Sequence, residues 1–215
     1  MINRHLLLTL VLAVCVLSGC AGGRASPPTA LYTLGLGPDA AQGSVQSSGM
    51  ADSGAKSMAN SADGSIELLQ VVLPEYLRQT NLLVRNNEYS MSIVGSRQWA
   101  GSLEDQLKSA IAIRFGREVG TNRVFTSPVP AGVRMSHYLS VRIFAFEGAT
   151  DGTVSLRAWW GIYDASRNLV SNGFFDAQDM ADKGGDTYQG IVSAQSRLVQ
   201  RLCEEMGRNF VAVRK

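Results

Sequence analysis

Metal, acyl-transfer and phosphate chemistry each need a particular set of side chains, and this chain holds few of them. It carries three cysteines, Cys15, Cys20 and Cys203, and two histidines, His5 and His137. These five are scattered, so neither a His/Cys metal cage nor a multi-disulfide scaffold is expected. Acyl transfer would need a Ser or Cys held against a His that a carboxylate orients. His137 opens a predicted strand, its neighbour Ser136 is not expected to face it productively, and no G-x-S-x-G elbow occurs. No G-x-x-x-x-G-K-[ST] loop is present, and Gly184-Gly185 lacks lysine and hydroxyl partners for a phosphate. Acid pairs such as Glu204-Glu205 and Asp179/Asp182 fall on positions that solvation explains. The expectation is a protein that is not an enzyme, with no catalytic residue, metal or cofactor.

One cysteine does carry a chemistry. Residues 6–17 are almost unbroken apolar behind Arg4, too short to span a bilayer, which takes about 20 residues. A short basic start, an apolar middle and small residues after it are the layout of a secretory signal. The run ends Leu17-Ser18-Gly19-Cys20, which resembles the bacterial lipoprotein box, whose cysteine thiol is alkylated by a diacylglyceryl group. Residues 1–19 are then signal peptide, Cys20 is the lipid-attachment residue, and 20–30 form a lipidated tether. Residues 21–30 reach about 35 Å when extended. By resemblance to lipoproteins of Gram-negative bacteria, Ala21 favours the periplasmic face of the outer membrane over inner-membrane retention. Each buried acyl CH₂ contributes about 0.8 kcal/mol, so two or three chains anchor durably where one does not. Cys203, among Leu198, Val199, Leu202 and Met206 at helical spacing, reads as a small buried hydrophobe.

With 20 Lys+Arg against 18 Asp+Glu, the formal charge of +2 gives no basic field for nucleic acid. Leu31–Leu36 has strand character. Residues 38–64 are rich in Gly, Ser and Ala and lack aromatics, a composition that cannot offset its own ordering entropy, so a disordered insertion is expected there. Ile66–Leu73 is an apolar run closed by Pro74, after which a single helical turn can form. Leu82–Arg85 and Tyr89–Val94 flank Asn86-Asn87-Glu88 as a hairpin. Ser102 and Asp105 start a helix over about 101–118, with Leu103, Leu107, Ala110, Ile111 and Phe115 on one face. Pro128 and Pro130 mark an irregular loop. Strands over about 137–147, 153–164 and 168–176 form a meander, and a helix over about 185–211 ends the domain with Ile191, Leu198, Leu202, Met206 and Phe210 on one face. The expected fold is α+β: one domain over 31–215, an antiparallel sheet with two main amphipathic helices packed on one face.

These segments resemble a known family, the auxiliary lipoproteins of ABC-type transport systems, of which the Pqi-type periplasmic lipoprotein is an example. The resemblance rests on Leu31-Tyr32-Thr33-Leu34, Val72-Leu73-Pro74-Glu75-Tyr76-Leu77, Leu83-Val84-Arg85, Arg97-Gln98-Trp99-Ala100 and Leu156-Arg157-Ala158-Trp159, in that order. It implies an envelope lipoprotein that serves a machine moving lipids or other hydrophobic molecules between two membranes, with an MCE-domain component as partner. The residues leave two alternatives open: a structural or assembly lipoprotein without a transport partner, and an independent lipid carrier. The insertion departs from the family pattern and leaves open whether residues 31–36 dock in the sheet. Taken without the family, Pro74, Tyr76 and Leu77 turn the chain and pin a core, and Trp99 closes the gap between strand and helix. Arg85 and Arg97 are then solvated or paired with Glu88, Glu104 or Asp105.

Strand alternation divides the meander into two faces. Leu139, Val141, Ile143 and Ala145, with Val154, Leu156, Ala158, Trp160 and Ile162, are expected under the helices. Tyr138, Arg142, Phe144 and Phe146, with Arg157, Trp159 and Tyr163, are expected on the other side. Aromatics interleaved with arginine are enriched at protein interfaces. That side is therefore the candidate interface with a second copy or with the transport partner, unless residues 119–136 or another segment cover it.

Overall fold

A computed structural model describes residues 28–35 and 64–213. The signal peptide, Cys20 and all but Gly64 of the segment expected to be disordered lie outside these residues. Among the described residues, one sheet of eight strands carries two helices. The strands are β1 (Ala30–Tyr32), β2 (Ile66–Val72), β3 (Asn81–Asn87), β4 (Ser90–Trp99), β5 (Val124–Thr126), β6 (His137–Ala149), β7 (Thr153–Asp164) and β8 (Leu169–Met180). The helices are α1 (Leu103–Glu118) and α2 (Thr187–Val213), and a single 3-10 turn spans Glu75–Leu77.

β6 organises the sheet. One edge of it pairs antiparallel with β7, and β7 with β8. Its other edge is shared: the first half pairs parallel with β2, and Gly148 and Ala149 pair parallel with Val84 and Arg85 of β3. β2 extends to β5 in parallel, while β3 extends antiparallel to β4 and then in parallel to β1. The hairpin and the meander are antiparallel as expected, and the sheet as a whole is mixed. Local alternation marks a strand but not the direction of a partner some 70 residues away. β5 replaces part of the expected irregular loop; at three residues it is too short to show a period and exists through its ladder to Ile66–Leu68.

The helices follow the sequence pattern. The Ser102 hydroxyl accepts the Asp105 N–H at 3.4 Å, Glu104 and Asp105 lie in the first turn, and Gly120 at φ 71° ends the turn after α1. Leu107, Ile111 and Phe115 are fully buried against Leu198, Leu202, Met206 and Phe210 of α2 and the inner side chains of β2, β6 and β7. Both helices cover the same face. Cys203 is buried in this layer, and burial pushes its thiol up to about 12.

Candidate functional site

The motifs are spread along the chain, and the fold brings them into contact in two places. At the first, the hydroxyl of Tyr32 on β1 donates to Asp186 Oδ2 at 2.7 Å, and Arg97 of β4 lies 3.5 Å from the same oxygen. Asp186 Oδ1 accepts the Tyr188 N–H at 2.9 Å at the start of α2, and the Arg97 guanidinium sits over the Tyr188 ring at 5.4 Å. The hydrogen bond from Tyr32 holds the Asp186 carboxyl below its usual range, while burial and Asp186 push Tyr32 up to about 12. Residues 30–32 therefore dock in the sheet, paired with Arg97, Gln98 and Trp99. Leu34 N–H donates to Gln106 Oε1 at 2.9 Å, and Trp99 is buried in the core.

At the second place, Arg85 of β3 donates from Nε to Glu147 Oε1 at 3.0 Å, and Tyr76 donates to Glu147 Oε2 at 3.0 Å. The Phe146 N–H adds a third donor to Glu147 at 2.8 Å. The sequence suggested Glu88, Glu104 or Asp105 as partners for the two arginines. Arg85 instead takes Glu147, with only a backbone contact to Glu88 O, and Arg97 takes Asp186. Both partners are far in sequence, which local charge patterning cannot see. Burial and the Glu147 charge raise the Tyr76 hydroxyl well above its usual value.

Tyr76 also donates to the carbonyl of Phe144 at 3.3 Å, and there β6 departs from plain alternation. Ile143 pairs with Ala158 and Ala145 with Arg157, which leaves Phe144 as an extra residue in a bulge. Beyond it the two faces exchange. Phe146, expected on the outer side, is 1% exposed in the core, and its carbonyl accepts from Gln195 of α2. Ala145, expected under the helices, leaves the inner face for the same reason. Phe146 therefore drops out of the candidate interface.

The outer face of the meander keeps the other six residues. Tyr138, Arg142 and Phe144 lie on β6, and Arg157, Trp159 and Tyr163 on β7, with neither helix over them. Residues 119–136 contribute β5 to the far edge of β2 and leave Phe144 42% exposed. Arg157 pairs with Asp176 at 3.0 Å, and the Arg167 guanidinium lies 3.7 Å from the Tyr138 ring centroid. The Trp159 ring runs along its strand over Gly161, where a Cβ would stand 2.6 Å from Trp159 Cη2. Sequence reasoning missed Phe174 on β8, which is 72% exposed and stacked on Phe144 with centroids 6.3 Å apart and planes at 20°. The signal was present: in a strand, Phe174 and Phe175 must point to opposite faces, and Phe175 is the buried one.

Ser136 and His137 do meet, with Oγ and Nδ1 3.0 Å apart. The Ser136 hydroxyl donates to Ser65 O at 2.8 Å, so its proton is committed to a carbonyl rather than to the imidazole. The His137 ring packs edge-on against Phe210. Among the described residues no group of three or more His, Cys, Asp or Glu could hold a metal, and no helix is long and apolar enough to cross a membrane.

The model of the ABC-type transport auxiliary lipoprotein component matches residues 50–207. The chain belongs to this family. Among solved structures it is similar to one described only as an uncharacterized protein, at TM-score 0.59 and 19% identity over 68% of this chain and 92% of that one. It is also similar to a Xanthomonas campestris protein of the family DUF330, at TM-score 0.58 and 12% identity over 69% of this chain and 84% of that one. At these identities the likeness shows the fold alone. A search of curated proteins finds no match. The auxiliary lipoprotein thus joins four of its five recognisable motifs in two polar contacts, and the fifth, Leu156–Trp159, alternates between the core and the open face.

Proposed function

We propose that this auxiliary lipoprotein is a non-catalytic accessory of an ABC-type system that moves lipids or other hydrophobic molecules and has an MCE-domain component. In this reading acyl chains on Cys20 hold it at the periplasmic face of the outer membrane of a Gram-negative bacterium. It meets the transport partner, or a second copy of itself, through the open face of the meander. The observation that carries the reading is that face on a member of this family: Arg142, Phe144, Trp159 and Phe174 stand together on strands fixed by β6, with neither α1 nor α2 above them. Aromatic and arginine side chains on a rigid sheet lose little entropy on docking, which is why such positions dominate interface energies.

The test is a photo-crosslinking residue at Phe174 in the intact envelope, with one at Arg208, exposed on the last turns of α2, as control. Capture of an MCE-domain protein from Phe174 and not from Arg208 supports the reading. Capture of other envelope proteins alone favours an assembly lipoprotein. Anchoring is checked separately: Cys20→Ala should abolish incorporation of labelled palmitate and leave a precursor or a soluble species.

A further inference from the structure

Opposite the open face of the sheet, an open groove of about 740 Å³ runs between the residues of β1 and the first half of α2. Leu31, Thr33 and Gly35 form one wall, and Gln189, Val192 and Ser196 the other. Its size is that of a small-molecule site. Three charged groups besides these line it, and two are accounted for. Asp186 is satisfied by Tyr32 and Arg97, and Arg197 is held by Asp179 at 2.7 Å and Asp182 at 2.9 Å.

The third is Arg114, which projects from α1 and is only 3% exposed. It sits on the stripe of Leu107, Ala110 and Ile111, where an arginine is out of place. Its guanidinium donates to the carbonyls of Ser196 and Gly35, and among the described residues its Nε has no partner and no carboxylate pairs with it. A buried cation that meets only neutral acceptors is costly, and burial lowers its pKa accordingly. An anion brought from outside would remove that cost. Removing the residue's charge would remove the attraction.

We propose that the groove binds an anionic amphiphile, with its carboxylate or phosphate at the Arg114 end and its acyl part along Leu31 and Val192. The occupant is argued from charge complementarity and from the mixed wall, which sets Leu31 and Val192 beside a cation that no described carboxylate compensates. The site does not depend on which partner meets the open face. If Cys20 is the anchor, the groove also opens beside the strand that begins ten residues after it, within reach of a membrane as the source of ligand.

The test uses the full chain in nanodiscs of phosphatidylcholine, with palmitic acid bearing a mid-chain diazirine as probe. Irradiation should label peptides containing Leu31 or Gln189–Gln200. Excess palmitic acid should remove the label, and methyl palmitate and inorganic phosphate should not. Arg114→Gln should lower labelling at least tenfold. Since Arg114 also ties α2 to Gly35, a second variant at an exposed position decides the matter if that one loses its fold. Leu31→Glu sets a repelling charge at the mouth of the groove and should lower labelling tenfold with a native circular dichroism spectrum. Label spread over other surfaces, equal competition by methyl palmitate, or undiminished label in Leu31→Glu overturns the proposal. Competition by inorganic phosphate alone also overturns it, because the groove then takes a free anion. None of these outcomes bears on capture of an MCE-domain protein from Phe174.

Discussion

Tyr76 and Arg85 end on the two oxygens of one carboxylate, that of Glu147, and the same tyrosine holds the carbonyl of the bulged residue Phe144. The turn after β2 and the strand β3 are thereby tied to the point where β6 changes face. Arg85→Ala leaves Glu147, 6% exposed, with two donors and no counter-ion. The expected loss is about 2–3 kcal/mol in urea unfolding, below that of a fully buried pair because Arg85 is partly hydrated. Tyr76→Phe should cost about 1 kcal/mol. If Arg85→Ala is neutral, the contact does not hold the bulge.

The bulge makes a sharper prediction from two neighbours of the same type. Phe146→Ala opens a cavity in the core and should cost about 3–5 kcal/mol. Phe144→Ala loses little more than a ring stacked on Phe174 at the surface, about 0.5–1.5 kcal/mol. Equal losses at the two positions would mean that alternation continues through residue 144 and that no bulge exists. Trp159→Ser with Phe144→Ser should in turn abolish partner capture or shift the assembled mass while far-UV circular dichroism stays native.

Much of this architecture could be read from the sequence because it is written locally. The helices follow from Leu103, Leu107, Ile111 and Phe115 and from Leu198, Leu202, Met206 and Phe210, which recur at helical spacing. The meander follows from alternation between turns such as Asp164–Arg167, where the Asp164 carboxylate accepts the Ser166 and Asn168 N–H groups. What could not be read depends on distant chain. Counting by alternation from Leu139 puts Phe146 on the outer side, and a single extra residue at 144 reverses the count. β5 has no period of its own. The partners of Arg85 and Arg97, Glu147 and Asp186, are 62 and 89 residues away. Arg114 carries a local signal, a charge on an apolar stripe, but nothing local shows that the fold buries it.

The pair Tyr32 and Asp186 predicts a pH dependence at both ends. Asp186 has a lowered pKa in the folded chain, so its contribution is present above the unfolded value of about 3.9 and is lost as pH falls through the folded one. Tyr32 is raised from 10.0 to about 12, so its contribution is complete below pH 10 and is lost as pH rises toward 12. Tyr32→Phe should therefore cost about 1 kcal/mol near neutrality and flatten both limbs of the stability curve. Unfolding followed from pH 3 to 11.5 checks it; limbs as steep as those of the wild type would show that β1 is not held through this contact.

Two glycines separate folding from docking. At Gly173 a Cβ would lie 2.6 Å from Trp160 Cζ2 and 2.8 Å from its Cε2. That indole is fully buried and its Nε1 donates to Glu205 at 3.0 Å, so it has no room to move. Gly173→Ala should cost about 1–3 kcal/mol by overpacking. At Gly161 the Cβ would lie 2.6 Å from Trp159 Cη2, the far end of a ring on the open face that can swing away from the sheet. Gly161→Ala should therefore leave the melting temperature within a few degrees, since about 1 kcal/mol corresponds to about 2–4 °C at this chain length. It should still displace Trp159 and reduce photo-crosslinking from Phe174, its neighbour across the β7–β8 ladder. A Gly161→Ala protein of native stability that keeps full capture would remove Trp159 from the interface and leave Phe144 and Phe174 as its centre.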